Sequence, residues 1–142
     1  MSAQLQILSK YGEPGPAYQR NFCTVWNVQN DFPWFPVKSF MVNKEFKDKL
    51  FQAFTNLTKA GLQGEIKTFD GCYNDRSVRG RDSTSLHAWA MAIDLNAATE
   101  KLAQTTTNFS GQFIAIMKAA GLFWGGDWTG RKDTMHFALY NG

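Results

Sequence analysis

Two histidines occur in the chain, and each lies close in sequence to an aspartate. His87 is followed by Asp94, and His136 is preceded by Asp133. Imidazole nitrogen and carboxylate oxygen are the ligands of a catalytic zinc ion, which takes three from the protein and keeps a fourth position for water. The segment AMAIDLN (90–96) alternates in the manner of a strand, with Met91, Ile93 and Leu95 on one face and Ala92 and Asp94 on the other. In MHFALY (135–140) Met135, Phe137 and Leu139 share a face, which leaves His136 and Ala138 on the opposite one. His87, just ahead of the first strand, can reach the same point as Asp94 and His136, and the neighbouring alanines leave room for an ion. Asp133 then has a separate use: a carboxylate beside the site can take a proton from attacking water and hand it to a leaving amine, while the ion lowers the water's pKa to roughly 7. Spacing by itself leaves the ordinary alternative open, since a histidine is more often a hydrogen-bonded core or surface residue than a ligand.

Other residues that can do chemistry surround this set. Arg76, Arg79 and Arg81 crowd the loop before His87; most such clusters are solvated, but a planar guanidinium is also the best bidentate partner for a carboxylate. Ser85 has no nearby free histidine to activate it if His87 binds metal, so a serine nucleophile is disfavoured. Asp127 follows Gly125 and Gly126, where a turn fixed by its side chain is the favoured reading over a ligand or base. Trp89, Trp124 and Trp128 can either wall a cleft or fill a core.

The elements that must hold these residues follow from periodicity. Phe46, Leu50, Phe54 and Leu57 recur at helical spacing, with Phe51 widening the stripe, and predict a helix from Lys44 to Ala60 with Asn43 as N-cap and Gly61 as left-handed stop. A second helix begins at Ser110, presents Phe113, Ile116, Met117 and Ala120, and stops at Gly121. Strands are expected at 37–42, 65–69, 90–96 and 135–140. The GEPGP turn (12–16) and the aromatic stretch DFPWFPVKSF (31–40) make residues 1–40 read as an irregular segment packed on the core. The expected fold class is α+β, two or more helices against a small antiparallel sheet, in one domain spanning 1–142.

Composition bounds the rest. A chain of 142 residues with 44% hydrophobic and 19% charged residues is globular and of single-domain size. A net charge of +3, with no run of basic residues, is too weak and dispersed to argue for nucleic acid. No stretch is apolar enough to cross a membrane, and MSAQLQILSKYGEP lacks a basic region followed by an apolar one, so export by the general secretory route is not expected. Cys23 and Cys72 form no CxxC pair and are expected to be free thiols, with a bridge remaining open if the protein works outside the cell.

Three ordered blocks resemble one family. SLHAWAMAID (85–94) is similar to the SxHxxGxAxD motif of VanY-like D-alanyl-D-alanine carboxypeptidases and L-alanyl-D-glutamate endopeptidases, whose fold is the hedgehog/D-Ala-D-Ala peptidase type. GLFWGGDWTGRKDTMHFAL (121–139) resembles the C-terminal block of phage endolysins of that family, and GCYNDRSVRG (71–80) its arginine-bearing loop. The likeness covers about 64–140, with VNKEFKDKL (42–50) fitting the first helix. It implies that His87, Asp94 and His136 bind Zn²⁺, that Asp133 is the catalytic base, that Arg76 holds a substrate oxygen, and that Ser85 lies beside the substrate. The implied substrates are bacterial peptidoglycan stem peptides, and the implied setting is a host cytoplasm before release to the wall, or a virion with other virion proteins as partners. A D-alanyl-D-alanine carboxypeptidase or dipeptidase, a phage-particle component that keeps the metal site, and a structural zinc with Asp133 as fourth ligand are the alternatives. Two positions depart from the pattern: the family's glycine is Ala90 here, a change that a strand can absorb, and the Glu that often follows HF is Ala138.

Overall fold

The computed structural model describes residues 2–74 and 84–142. The protein is α+β, with five α-helices and two small antiparallel sheets among the described residues. Helices α1 (Ala3–Tyr11) and α2 (Pro16–Phe22) lead into β1 (Cys23–Trp26), the one-turn α3 (Val28–Asp31) and β2 (Phe40–Asn43). The long α4 (Lys44–Ala60) follows, then β3 (Ala92–Asp94), α5 (Gly111–Ala119), β4 (Phe123–Trp124) and β5 (His136–Ala138). Among the described residues no helix is long and apolar enough to cross a membrane.

Helix α4 has the predicted bounds. Asn43 Oδ1 accepts from the Phe46 amide at 2.9 Å, and Gly61 closes the helix at φ 71°. Its buried face is Phe46, Leu50, Ala53, Phe54 and Leu57; Phe51 remains 42% exposed, although its ring still touches Trp26 and Phe32. Fully burying one such side chain is worth about 1.5–3 kcal/mol, so this stripe is what holds the helix against α5 and the β1–β2 sheet.

The N-terminal segment is more regular than expected. Ser2 caps α1, which buries only Ala3 and Ile7, too short a stripe to read as periodic. Pro16 occupies the first turn of α2, so the proline that reads as a turn signal is a helix start. Strand β1 pairs with β2 from Cys23↔Asn43 to Trp26↔Phe40. The aromatic stretch after it is irregular, as expected, and sends Phe32, Phe35 and Phe40 into the core.

The predicted strand at 65–69 does not form. Gln63–Glu65 make a 3₁₀ turn, and only Phe69 bridges to Leu95. The Lys67 and Thr68 amides donate to Asn96 Oδ1, at 2.8 and 3.0 Å, so backbone pairing with the segment after β3 is confined to 68–71, where the Asn96 amide donates to the Thr68 carbonyl and the Asp70 amide to the Asp94 carbonyl. The second sheet has the order β3-β5-β4, with Ala92↔Ala138, Ile93↔Phe137 and Asp94↔His136 in register.

Candidate metal centre

Register creates the centre. Asp94 and His136 are directly opposed on antiparallel strands, where Cβ atoms stand about 4.5–5.5 Å apart and short polar side chains meet. Ile93 and Phe137, one residue over, point into the core, and both are fully buried. Asp94 Oδ1 lies 3.5 Å from His136 Nδ1, and Asp94 Oδ2 lies 3.2 Å from His87 Nε2. One ligand atom from each of the three residues falls within 4.8 Å of the others.

His87 arrives on a separate device. Ser85 caps the 3₁₀ turn Leu86–Trp89, its Oγ accepting from the His87 amide at 3.2 Å. Ala90 ends that turn in the left-handed region at φ 54°, swinging the chain into β3. It therefore sits at a turn and not in a strand, which gives a physical reason for glycine at the matching position of relatives.

Backbone carbonyls orient both rings. His87 Nδ1 lies 2.7 Å from the Cys72 carbonyl oxygen, and His136 Nε2 lies 2.7 Å from that of Gly142. A carbonyl only accepts, so these nitrogens carry the protons, and in the neutral rings His87 Nε2 and His136 Nδ1 turn lone pairs toward Asp94. Burial pushes the Asp94 carboxyl up, but hydrogen bonds from the His136 and His87 rings in their protonated forms outweigh this and hold it well below the usual carboxylate range, so protons on the inward nitrogens and a cation compete for the same place. Its Oδ1 is buried and makes no hydrogen bond. Two lone pairs and an anionic carboxylate converging without a proton between them form a donor set that fits a divalent cation.

Asp133 stands apart from that trio. Its amide donates to the Gly125 carbonyl at 3.1 Å, and its Oδ1 is buried without a hydrogen bond. Burial raises its carboxyl above the ordinary range, with the negative Asp94 adding to the rise and His136 opposing it. Asp133 lines the same cleft as His87, Asp94 and His136, about 390 Å³ in volume, together with Ser85 and Trp128. The expected base thus lines the same cleft as the expected ligands without joining their cluster.

The remaining residues sort clearly. Trp128 is the aromatic wall, its ring centroid 5.2 Å from that of His136. Trp89 is core, and its Nε1 donates to the Gly12 carbonyl at 3.0 Å. Trp124 packs on Phe137 and donates to the Thr134 carbonyl at 2.8 Å. Asp127 does not fix its turn through its side chain as expected; it reaches Lys118 on α5, Oδ2 to Nζ 2.6 Å. Cys23 and Cys72 are free thiols. Arg76, Arg79 and Arg81 lie outside the described residues. Sequence reasoning missed the Cys72 and Gly142 carbonyls, for which no side-chain signal exists. It also missed Arg131, which lines the cleft and whose signal is its place two residues before Asp133.

An open His–Asp–His cluster with a separate carboxylate beside it defines the chemistry of a metallopeptidase, and that is the class of this protein. Residues 79–139 match the family described as D-alanyl-D-alanine carboxypeptidase, a segment that carries both histidines, Asp94 and Asp133. The resemblance read from the motifs is thus supported over the segment of the chain that carries the centre.

Proposed function

We propose that the protein is a zinc-dependent peptidase of peptidoglycan stem peptides, with residues 1–142 as one catalytic domain. The observation that carries this reading is the Asp94–His136 register pair joined by His87, with Asp133 facing the cleft outside that set. His87, Asp94 and His136 are the residues that would hold zinc, which supplies Lewis acidity toward the scissile carbonyl and the attacking water. The Asp133 carboxylate accepts the water's proton and returns it to the leaving amine. Its raised pKa suits this traffic, because a proton acceptor works best when its pKa approaches the working pH. Trp128 walls the peptide on one side, Ser85 of the cleft is assigned to the substrate, and Arg76 is assigned to it on the motif resemblance alone.

Within this class the reading is a phage L-alanyl-D-glutamate endopeptidase, acting as an endolysin or as a virion-borne lysin. It is supported by the likeness of residues 121–139 to endolysin sequences. A D-alanyl-D-alanine carboxypeptidase is the second reading, favoured by the description of the matched family. Purified peptidoglycan treated with the zinc-loaded protein and analysed by mass spectrometry decides between them. New amino groups on D-glutamate are expected; free D-alanine as the sole product would select the carboxypeptidase. Asp133→Ala and His136→Ala should each abolish fragment release, and unchanged release by both would overturn the site.

A further inference from the structure

We propose that Arg131 is the residue by which the cleft recognises a carboxylate of the bound peptide; the proposal rests on the peptidase reading above. The metal-centre cleft continues into a second groove of about 670 Å³, and Trp128, Arg131 and Gly142 line both. Arg131 therefore stands at their junction, on the same loop as Asp133.

The loop spends one of its two adjacent cations on itself. Lys132 Nζ donates to the Gly126 carbonyl at 3.2 Å and to the Trp128 carbonyl at 2.7 Å, while the Lys132 carbonyl accepts from the Ala103 amide at 2.9 Å. Gly125 binds the other end, accepting from the Asp133 amide at 3.1 Å. The loop is pinned by these contacts, and Arg131 takes no part in them. Its side chain is exposed and makes no hydrogen bond or ion pair among the described residues. Lys118, the other cation along the groove, is already paired with Asp127.

Charge explains why a free cation is useful there. Asp133 is a carboxyl group of the cleft outside the expected metal ligands, and a substrate carboxylate placed near it needs a cationic partner. A planar guanidinium at the junction can take a substrate carboxylate in a bidentate grip, holding the chain with its scissile carbonyl toward the metal centre and its remainder in the second groove.

The test uses pairs of wall-derived peptides that differ only in carrying a free carboxylate or an amide next to the cleaved bond. The wild-type protein, loaded with zinc, should favour the acid by roughly 10- to 100-fold in kcat/KM, the range of a charge-assisted hydrogen-bonded pair. Arg131→Ala should erase this preference by raising KM for the acid while leaving the amide unchanged, and Arg131→Lys should keep part of it. Equal preference in wild type and Arg131→Ala, or none in wild type, overturns the proposal. Calorimetric binding of the cleaved fragments needs no turnover. A protein that cleaves neither peptide yet binds the acid fragment through Arg131 would overturn the peptidase reading and keep the carboxylate site.

Discussion

The Nε2 of His136 lies 2.7 Å from the carbonyl oxygen of Gly142, six residues further along, and this contact decides which nitrogen of the ring faces Asp94. Gly142 is held close to α1: a Cβ added there would lie 2.9 Å from the Ala3 Cβ and 3.2 Å from Leu86 Cδ1. Gly142→Ala should therefore displace the carbonyl and weaken zinc binding by about tenfold or more, the usual effect of losing such an orienting partner. Ala3→Gly in the same chain should restore affinity by clearing the nearer contact. Competition against a chromophoric chelator reads both; wild-type affinity in Gly142→Ala would show that the bond does not orient the ring.

Gly125 is required by close approach and not by its backbone angles. A Cβ there would fall 2.2 Å from the Asp133 carbonyl oxygen. Gly125→Ala should cost about 1–3 kcal/mol or more through overpacking. Peptide cleavage should fall further than stability, because the loop that must move carries Asp133. Chemical denaturation set beside the cleavage rate checks this, and an alanine variant with full activity would refute the packing argument.

A buried hydrogen-bond chain ties the N-terminal helices to the turn that presents His87. Tyr18 on α2 donates to the Trp89 carbonyl at 2.6 Å and accepts from Asn43 Nδ2 at 2.9 Å. Tyr18→Phe leaves a buried carbonyl and a buried amide without partners, and should destabilise the protein by about 1–3 kcal/mol. Urea midpoints of the two proteins give the comparison.

Acid sensitivity has a local source in the contact between α1 and α4. Tyr11 donates to Glu45 Oε1, and Lys10 Nζ stands 3.1 Å from the same oxygen. The Tyr11 hydrogen bond, with Lys10 adding, outweighs burial and lowers the Glu45 pKa from 4.5. A carboxyl depressed on folding contributes stability that is present above its unfolded pKa and is lost as the pH falls through the folded one. The group is largely exposed, so the contribution is under about 1 kcal/mol. Tyr11→Phe should lower stability at pH 7 and make little difference at pH 3; an equal loss at both values would place the effect in packing instead.

Much of the centre was legible in the sequence because strand alternation is a short-range property. Ala92 and Asp94 on one face, and His136 and Ala138 on one face, follow from the two-residue period alone, and the observed register opposes them pair by pair. The α4 bounds were legible for the same reason, since Asn43 and Gly61 act on their own neighbours. Elements whose partners are distant were not. The 65–69 segment has strand composition, but Asn96 takes its amides. Pro16 signals a turn or a helix start equally well, and only the packing of Tyr18 and Phe22 against Tyr11 distinguishes them.

What the sequence determined by itself is the set of residues able to bind a metal and move a proton, and the strand faces that carry two of the ligands. Only the tertiary structure decided which atoms of those residues face one another. The carbonyls of Cys72 and Gly142 select the free nitrogen of each ring, and the packing of Gly125 on Asp133 holds the loop on which Asp133 and Arg131 enter the cleft. Backbone carbonyls are the same in every residue, so no side-chain pattern announces where they will point; chain folding alone brings them to the rings.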